Sequence, residues 1–231
     1  MKCSVGKGAV NMLQKIKDPA SALTHFAGCV MAALAAVPLL VKAAREPGRL
    51  YFIAMAVFAL SMVLLYAAST TYHPVDSTYK LNRRLRKLDH MMIFVLIAGS
   101  YTPICLITLR GPQGTALCTA VWAVALAGIA IKALWITCPK WFSSVLYIAM
   151  GWLCVFAVVP IVKALSPAGF GWLLAGGIIY TAGGVIYALK LPLFNARHKA
   201  FGTHEIFHLF VMAGSACHFV LMYFFVMPVA A

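Results

Sequence analysis

The sequence predicts an all-α integral membrane protein, a seven-transmembrane helix bundle with its N-terminus inside and its C-terminus outside. Three observations lead there. Of the 231 residues, 63% are apolar and only 10% are charged, against about 25% charged in an ordinary soluble domain. The apolar residues fall into seven runs, each near the roughly 20 residues a helix needs to cross a bilayer. The cations gather in alternate connections between those runs.

The runs lie near Ala22–Val41, Leu50–Tyr72, Asp89–Leu109, Thr115–Trp135, Phe142–Val162, Phe170–Leu189 and Phe201–Val226. Pro47-Gly48, Gly111-Pro112, Pro139 and Ser166-Pro167-Ala168-Gly169 punctuate them, as expected of residues that end helices and form turns. No polar stretch is long enough for a second domain, so residues 1–231 read as one membrane domain with a short basic segment at 1–18. That segment has no apolar core and does not read as a cleavable signal. In the sixth run Gly176, Gly177, Gly183 and Gly184 recur seven apart, a pattern for close helix packing.

Net charge is +14. In a soluble chain that would suggest nucleic acid, but here the cations sit between spans and act as topology signals. Fourteen lie in the amino-terminal segment and the second, fourth and sixth connections; only Lys42, Arg45, Arg49, Arg110 and Lys163 lie on the other side. Lys and Arg favour the cytoplasm, which places the amino-terminal segment there. Leu81, Leu85 and Leu88 recur at helical spacing among four cations, so 81–88 is either a basic helix on the inner leaflet or a plain positive-inside loop.

Ionisable groups within spans are costly and mark function. The chain has five acids; Asp18, Glu46 and Asp76 fall in connections, Asp89 opens the third run, and Glu205 lies near the start of the seventh. His204-Glu-Ile-Phe-His208 puts two imidazoles four apart on one helical face, which is metal-ligand spacing. By alternation of the spans, His73, Asp89, His204 and His208 all reach the cytoplasmic boundary. Ser69, four before His73, faces the same way. Three imidazoles with one open position make a catalytic zinc arrangement, and Asp89 would suit a role beyond the ligands, reaching the metal through water. Asp89 and Ser69 are the candidate catalytic groups and Zn2+ the expected cofactor. Glu205 reads more simply as a carboxylate favoured near a helix N-terminus. His25 is a weaker candidate on the same side. His90 neighbours Asp89 but is expected to point elsewhere, His198 belongs to a basic loop, and His218 reads as a hydrogen-bonded packing residue. Tyr101-Thr102-Pro103 reads as a kink within the third span.

Other chemistries are pruned. No Lys or Arg follows Lys199, so the seventh span has no Schiff-base lysine for retinal. Two histidines on one helical face cannot ligate both sides of a haem. A carboxylate-bridged di-iron site needs about four acids in place. The seven cysteines include no C-x-x-C pair and read as small packing residues.

The segments Ser69-Thr-Thr-Tyr-His73, Leu88-Asp-His90, Ala98-Gly-Ser-Tyr-Thr-Pro103, Tyr187-Ala-Leu-Lys190 and Phe201-Gly-Thr-His-Glu-Ile-Phe-His-Leu-Phe-Val211 carry a family resemblance. The chain resembles the haemolysin III-related proteins, the bacterial branch of the progestin and adipoQ receptor family. The resemblance implies a multi-pass protein of the bacterial inner membrane. It also implies zinc on the histidines at 73, 204 and 208, with the acid at 89 contacting it through water, and kinship with membrane-embedded lipid amidases. Relatives often carry a Glu shortly before a first-span Thr-His; this chain has Asp18-Pro-Ala-Ser-Ala-Leu-Thr-His25 instead. Three functions follow as expectations: a zinc-dependent hydrolase of lipid amides or esters, with membrane lipids as partners; a non-enzymatic homeostasis factor or sensor with structural zinc; and a pore-forming cytolysin. The absence of a secretion signal, and of a segment able to leave the membrane and insert elsewhere, speaks against the last.

Overall fold

A computed structural model describes residues 16–189 and 202–227. The cations at positions 2, 7, 15, 190, 197 and 199, with Cys3, His198 and Phe201, lie outside the described residues. Seven helices are long and apolar enough to cross a membrane, and no strand occurs among the described residues. They are α1 Pro19–Ala44, α2 Leu50–Tyr72, α3 Tyr79–Leu109, α4 Gly111–Leu134, α5 Lys140–Ala164, α6 Pro167–Leu189 and α7 Thr203–Val226. The expected spans are all present, with ends shifted by a few residues.

The largest shift is at α3. Its helix begins ten residues before Asp89, so the basic segment 81–88 is neither a separate surface helix nor a loop. Thr78 caps it, its side chain accepting from the Leu81 N–H. At 31 residues, α3 runs about 46 Å and outreaches the roughly 30 Å hydrocarbon core. Lys87 Nζ donates to the Ala133 carbonyl and ties this extension to the end of α4. Lys132, counted with the loop cations in the sequence, is in fact buried in α4, where Nζ bonds Ser143 Oγ at 2.5 Å and Cys138 Sγ at 3.1 Å.

Irregular helix appears where backbone bonding is disturbed. Pro103 removes an N–H, and from Ile104 to Leu109 the helix widens to π geometry. α3 then reverses directly into α4 through Arg110 and Gly111, both with positive φ (45° and 66°), a conformation glycine adopts freely. α5 tightens to 3-10 geometry over Trp152–Ala157. The Tyr101 hydroxyl serves this break, donating to Gly151 O at 2.6 Å and accepting from Cys154 N–H at 2.9 Å. The expected kink at Tyr101–Pro103 therefore falls beside a break in its neighbour.

α2 lies between α1 and α3, α4 packs on α3, α6 packs on both α5 and α7, and α7 closes back onto α1. Phe58, Leu65, Leu96, Val211 and Leu221 form part of the shared interior. The glycine stripe of α6 divides its work. A Cβ on Gly176 or Gly183 would meet His218 or Phe210 of α7, one on Gly184 would meet Ile148 of α5, and one on Gly177 would meet nothing within 4 Å. Only the first two serve the α6–α7 seam.

Candidate metal centre

Antiparallel alternation brings the start of α1, the end of α2, the start of α3 and the start of α7 to one end of the bundle. Direct bonds secure the meeting. Asp18, just before α1, donates its N–H to the carbonyl of His73, just after α2. Ser21 of α1 bonds Glu205 of α7 at 2.5 Å.

Three imidazoles converge there. His73, His204 and His208 each offer a nitrogen within 4.8 Å of the others. Their ring centroids are separated by 5.0 Å (73 to 204), 5.1 Å (73 to 208) and 4.5 Å (204 to 208). His73 Nε2 and His204 Nε2 are 3.2 Å apart. Two nitrogens on one tetrahedral zinc, at bonds of about 2.0–2.1 Å, stand about 3.3 Å from each other. The residues therefore fit a single small metal ion.

Two of the three outward nitrogens are engaged, those of His73 and His208. His73 Nδ1 lies 3.2 Å from Asp18 Oδ2, so the ring donates from Nδ1 and keeps its Nε2 lone pair. Thr24 has one hydroxyl proton, given to the Ser21 carbonyl at 3.0 Å. Its 3.2 Å contact with His208 Nδ1 is then one in which the ring donates. Partners of this kind fix the tautomer and aim of metal-binding imidazoles. Asp18 does this instead of capping α1, whose N-cap receives no side-chain bond.

Asp89 is 7% exposed, with Oδ2 3.1 Å from His90 Nδ1. His90 thus turns toward Asp89, contrary to the sequence expectation. Glu205 closes the first turn of α7, accepting from Gly202 N–H at 2.7 Å. That is the structural role expected of it. Ser69 is fully buried one turn before His73, and its hydroxyl has no hydrogen-bond partner among the described residues. His218 packs against Gly176, beside the Leu173 backbone, as a packing residue.

A cavity of about 210 Å³ leads away from this end through the bundle. His25, Asp89, His90, His204 and His208 line its head; Ile93, Leu96, Ile161, Leu173 and Val211 are among its apolar walls. It reaches His218, ten residues along α7 from His208, or about 15 Å.

Asp18, Thr24 and His90 were not assigned site roles from sequence. Asp18 was within reach, because a five-residue turn between α1 and α2 forces the start of one beside the end of the other. Thr24 and His90 offered no comparable signal.

Fold and site define a multi-pass membrane protein with a three-histidine group able to hold a metal at one end of a seven-helix bundle. The haemolysin-III-related family model matches residues 13–219, and the chain belongs to that family. It is 38% identical to the hemolysin-3 of Bacillus cereus over 221 residues, covering 95% of this chain and 97% of that one. It is 37% identical to the hemolysin-3 homolog of Bacillus subtilis (strain 168) over 214 residues, 92% and 96% of the two chains. A more distant match is the adiponectin receptor protein of Drosophila melanogaster, 24% identical over 216 residues, spanning 85% of this chain but 48% of the receptor. This agrees with a relationship to the progestin and adipoQ receptor family.

Proposed function

We propose that this protein is a zinc-dependent hydrolase of lipid amides or esters at the cytoplasmic face of the bacterial inner membrane. The observation that supports it most is the convergence of three imidazoles, two of them oriented by Asp18 and Thr24, beside a buried carboxylate at the head of an apolar cavity. Zinc, held by His73, His204 and His208, would supply Lewis acidity toward an acyl carbonyl and toward water. Asp89, whose Oδ2 stands 3.1 Å from His90 Nδ1, takes a proton from the attacking water and returns it to the leaving amine or alcohol. Ser69, whose buried hydroxyl has no hydrogen-bond partner among the described residues, would be the donor as charge builds on the carbonyl oxygen. The apolar walls take the acyl chain. The cation count supports a site on the inside; a single cysteine at Asp76, in a cysteine-free background, should then resist impermeant thiol reagents on intact cells, and labelling would invert the topology.

The test uses zinc-loaded protein in lipid discs offered a ceramide, a simple acyl amide and a phospholipid. Wild type should release free fatty acid from at least one. Asp89→Asn should keep its zinc and lose at least about 100-fold in turnover. Release from none of them would sink the hydrolase. The name of the Drosophila relative would then favour a sensor with structural zinc. The names of the Bacillus relatives favour cytolysis as a further reading, checked by dye release from vesicles to which the protein is added.

A further inference from the structure

His25 is the residue at the cavity head that the account above leaves unused. Its ring is 3% exposed, and neither Nδ1 nor Nε2 has a hydrogen-bond partner among the described residues. A buried polar group without a partner is costly, so such groups are rare and call for an explanation. Loose packing does not provide one. One face of the ring stacks on His208, with centroids 3.5 Å apart and planes 11° from parallel. Tyr66 meets it edge-on at 5.1 Å. Tyr66 is itself pinned, its hydroxyl donating to Ser215 Oγ at 2.7 Å, while Gly28, one turn after His25 in sequence, lets the phenol ring lie close against α1. Packing thus fixes the plane of the imidazole, and no described residue hydrogen-bonds either ring nitrogen. His25 lines the cavity together with Asp89, His204 and His208.

We propose that His25 is a ligand-contacting residue that reads the polar end of the bound lipid. The inference rests on the lipid-hydrolase reading above and deepens it. An uncharged imidazole carries one donor and one acceptor. Satisfying both requires a ligand whose polar end offers an acceptor and a donor together. An acyl amide does so through its carbonyl oxygen and N–H; an acyl ester has acceptors only. The head of the cavity is therefore built to prefer amides.

Binding tests this without requiring turnover. Dodecanamide and methyl dodecanoate are titrated into zinc-loaded protein in lipid discs, with zinc content measured in parallel. Wild type should bind the amide about tenfold more tightly, the worth of one unpaired buried hydrogen bond. His25→Phe keeps a ring to stack on His208 and to meet Tyr66 but has no edge nitrogens. It should retain one zinc per chain and bind the two probes equally. His25→Gln restores a donor and an acceptor and should recover part of the preference. Equal binding by wild type would overturn the inference alone and leave water as the partner of the ring. Loss of zinc from both His25→Phe and His25→Gln would overturn it too, by making His25 part of the metal centre. Binding of neither probe by wild type would remove the lipid reading and this inference with it.

Discussion

α3 and α5 are the two extremes of the bundle. In its most apolar stretch, 56% of α3 is buried inside the protein, against 17% of α5. α2 and α7, at 44% each, stand with α3; the other helices are mostly lipid-facing. The three most buried helices carry Asp89 and the three histidines, while α1, at 22%, brings only the groups around them. Lipid is as apolar as a leucine side chain, so hydrophobicity alone gives a helix no reason to be inside. Polar groups do, because hydrocarbon offers them no partner. Asp89, His90, Ser100 and Thr102 are all buried in α3, while α5 turns Val159 and Phe156 outward. Where α5 does break its backbone bonding, the partner comes from α3, as the Tyr101 hydroxyl.

If polar demand organises the centre, the largest effects belong to the ligands. His208→Ala should reduce zinc from one per chain to below about a tenth and lower Tm by about 5–10 °C, because metal bound to the folded state contributes its binding energy to stability. Val159→Ala, at a side chain 61% exposed, should leave zinc unchanged and Tm within about 1 °C. Metal analysis and thermal unfolding in detergent check both. Full zinc in His208→Ala would reduce the histidine cluster to packing and remove the basis of the contrast.

A smaller effect is expected one step out from the ligands. Asp18→Asn keeps size and loses the charge that holds the Nδ1 proton of His73. Zinc affinity should fall about 10- to 100-fold, read by competition with a chelator. Asp76→Asn, in the exposed turn before α3, should leave it unchanged. Equal affinities in all three proteins would show that His73 needs no external orientation.

Asp18 also marks where sequence stops being informative. The seven spans are legible because the bilayer imposes one length and one polarity on each. His204 and His208 are legible because both lie on one helix with fixed periodicity. His73 and Asp89 needed one more step, the alternation of spans, which gives depth without lateral position. What lateral position decides was missed. Asp18 reads as a residue of the segment before the first span, and only the abutment of α1 against α2 shows it on His73. His90 lies about 100° round the helix from Asp89, yet its side chain bends back to the carboxylate. The start of α3 was misjudged for a different reason. Its first ten residues are too basic to look membrane-spanning, but a helix need not end where the lipid does.

The smallest predicted effect compares two glycines. Gly99 sits where α3 meets α2; an added Cβ would stand 2.3 Å from Ser61 Oγ and 2.5 Å from Ser61 Cβ. Ser61 cannot simply rotate away, because its hydroxyl donates to the Phe58 carbonyl at 2.7 Å in a buried setting. Gly99→Ala should therefore force the helices apart, at a cost of about 1–3 kcal/mol, offset by up to about 1 kcal/mol from the better helix propensity of alanine. Gly177, facing the cavity on α6, has open space at its Cβ position. There only the propensity acts, and Gly177→Ala should leave Tm unchanged or raise it slightly. Thermal unfolding of the two variants side by side reads the difference. Should both glycines tolerate alanine equally, the α2–α3 seam would be as yielding as the open cavity wall at Gly177, and burial in this bundle would not measure tightness of packing.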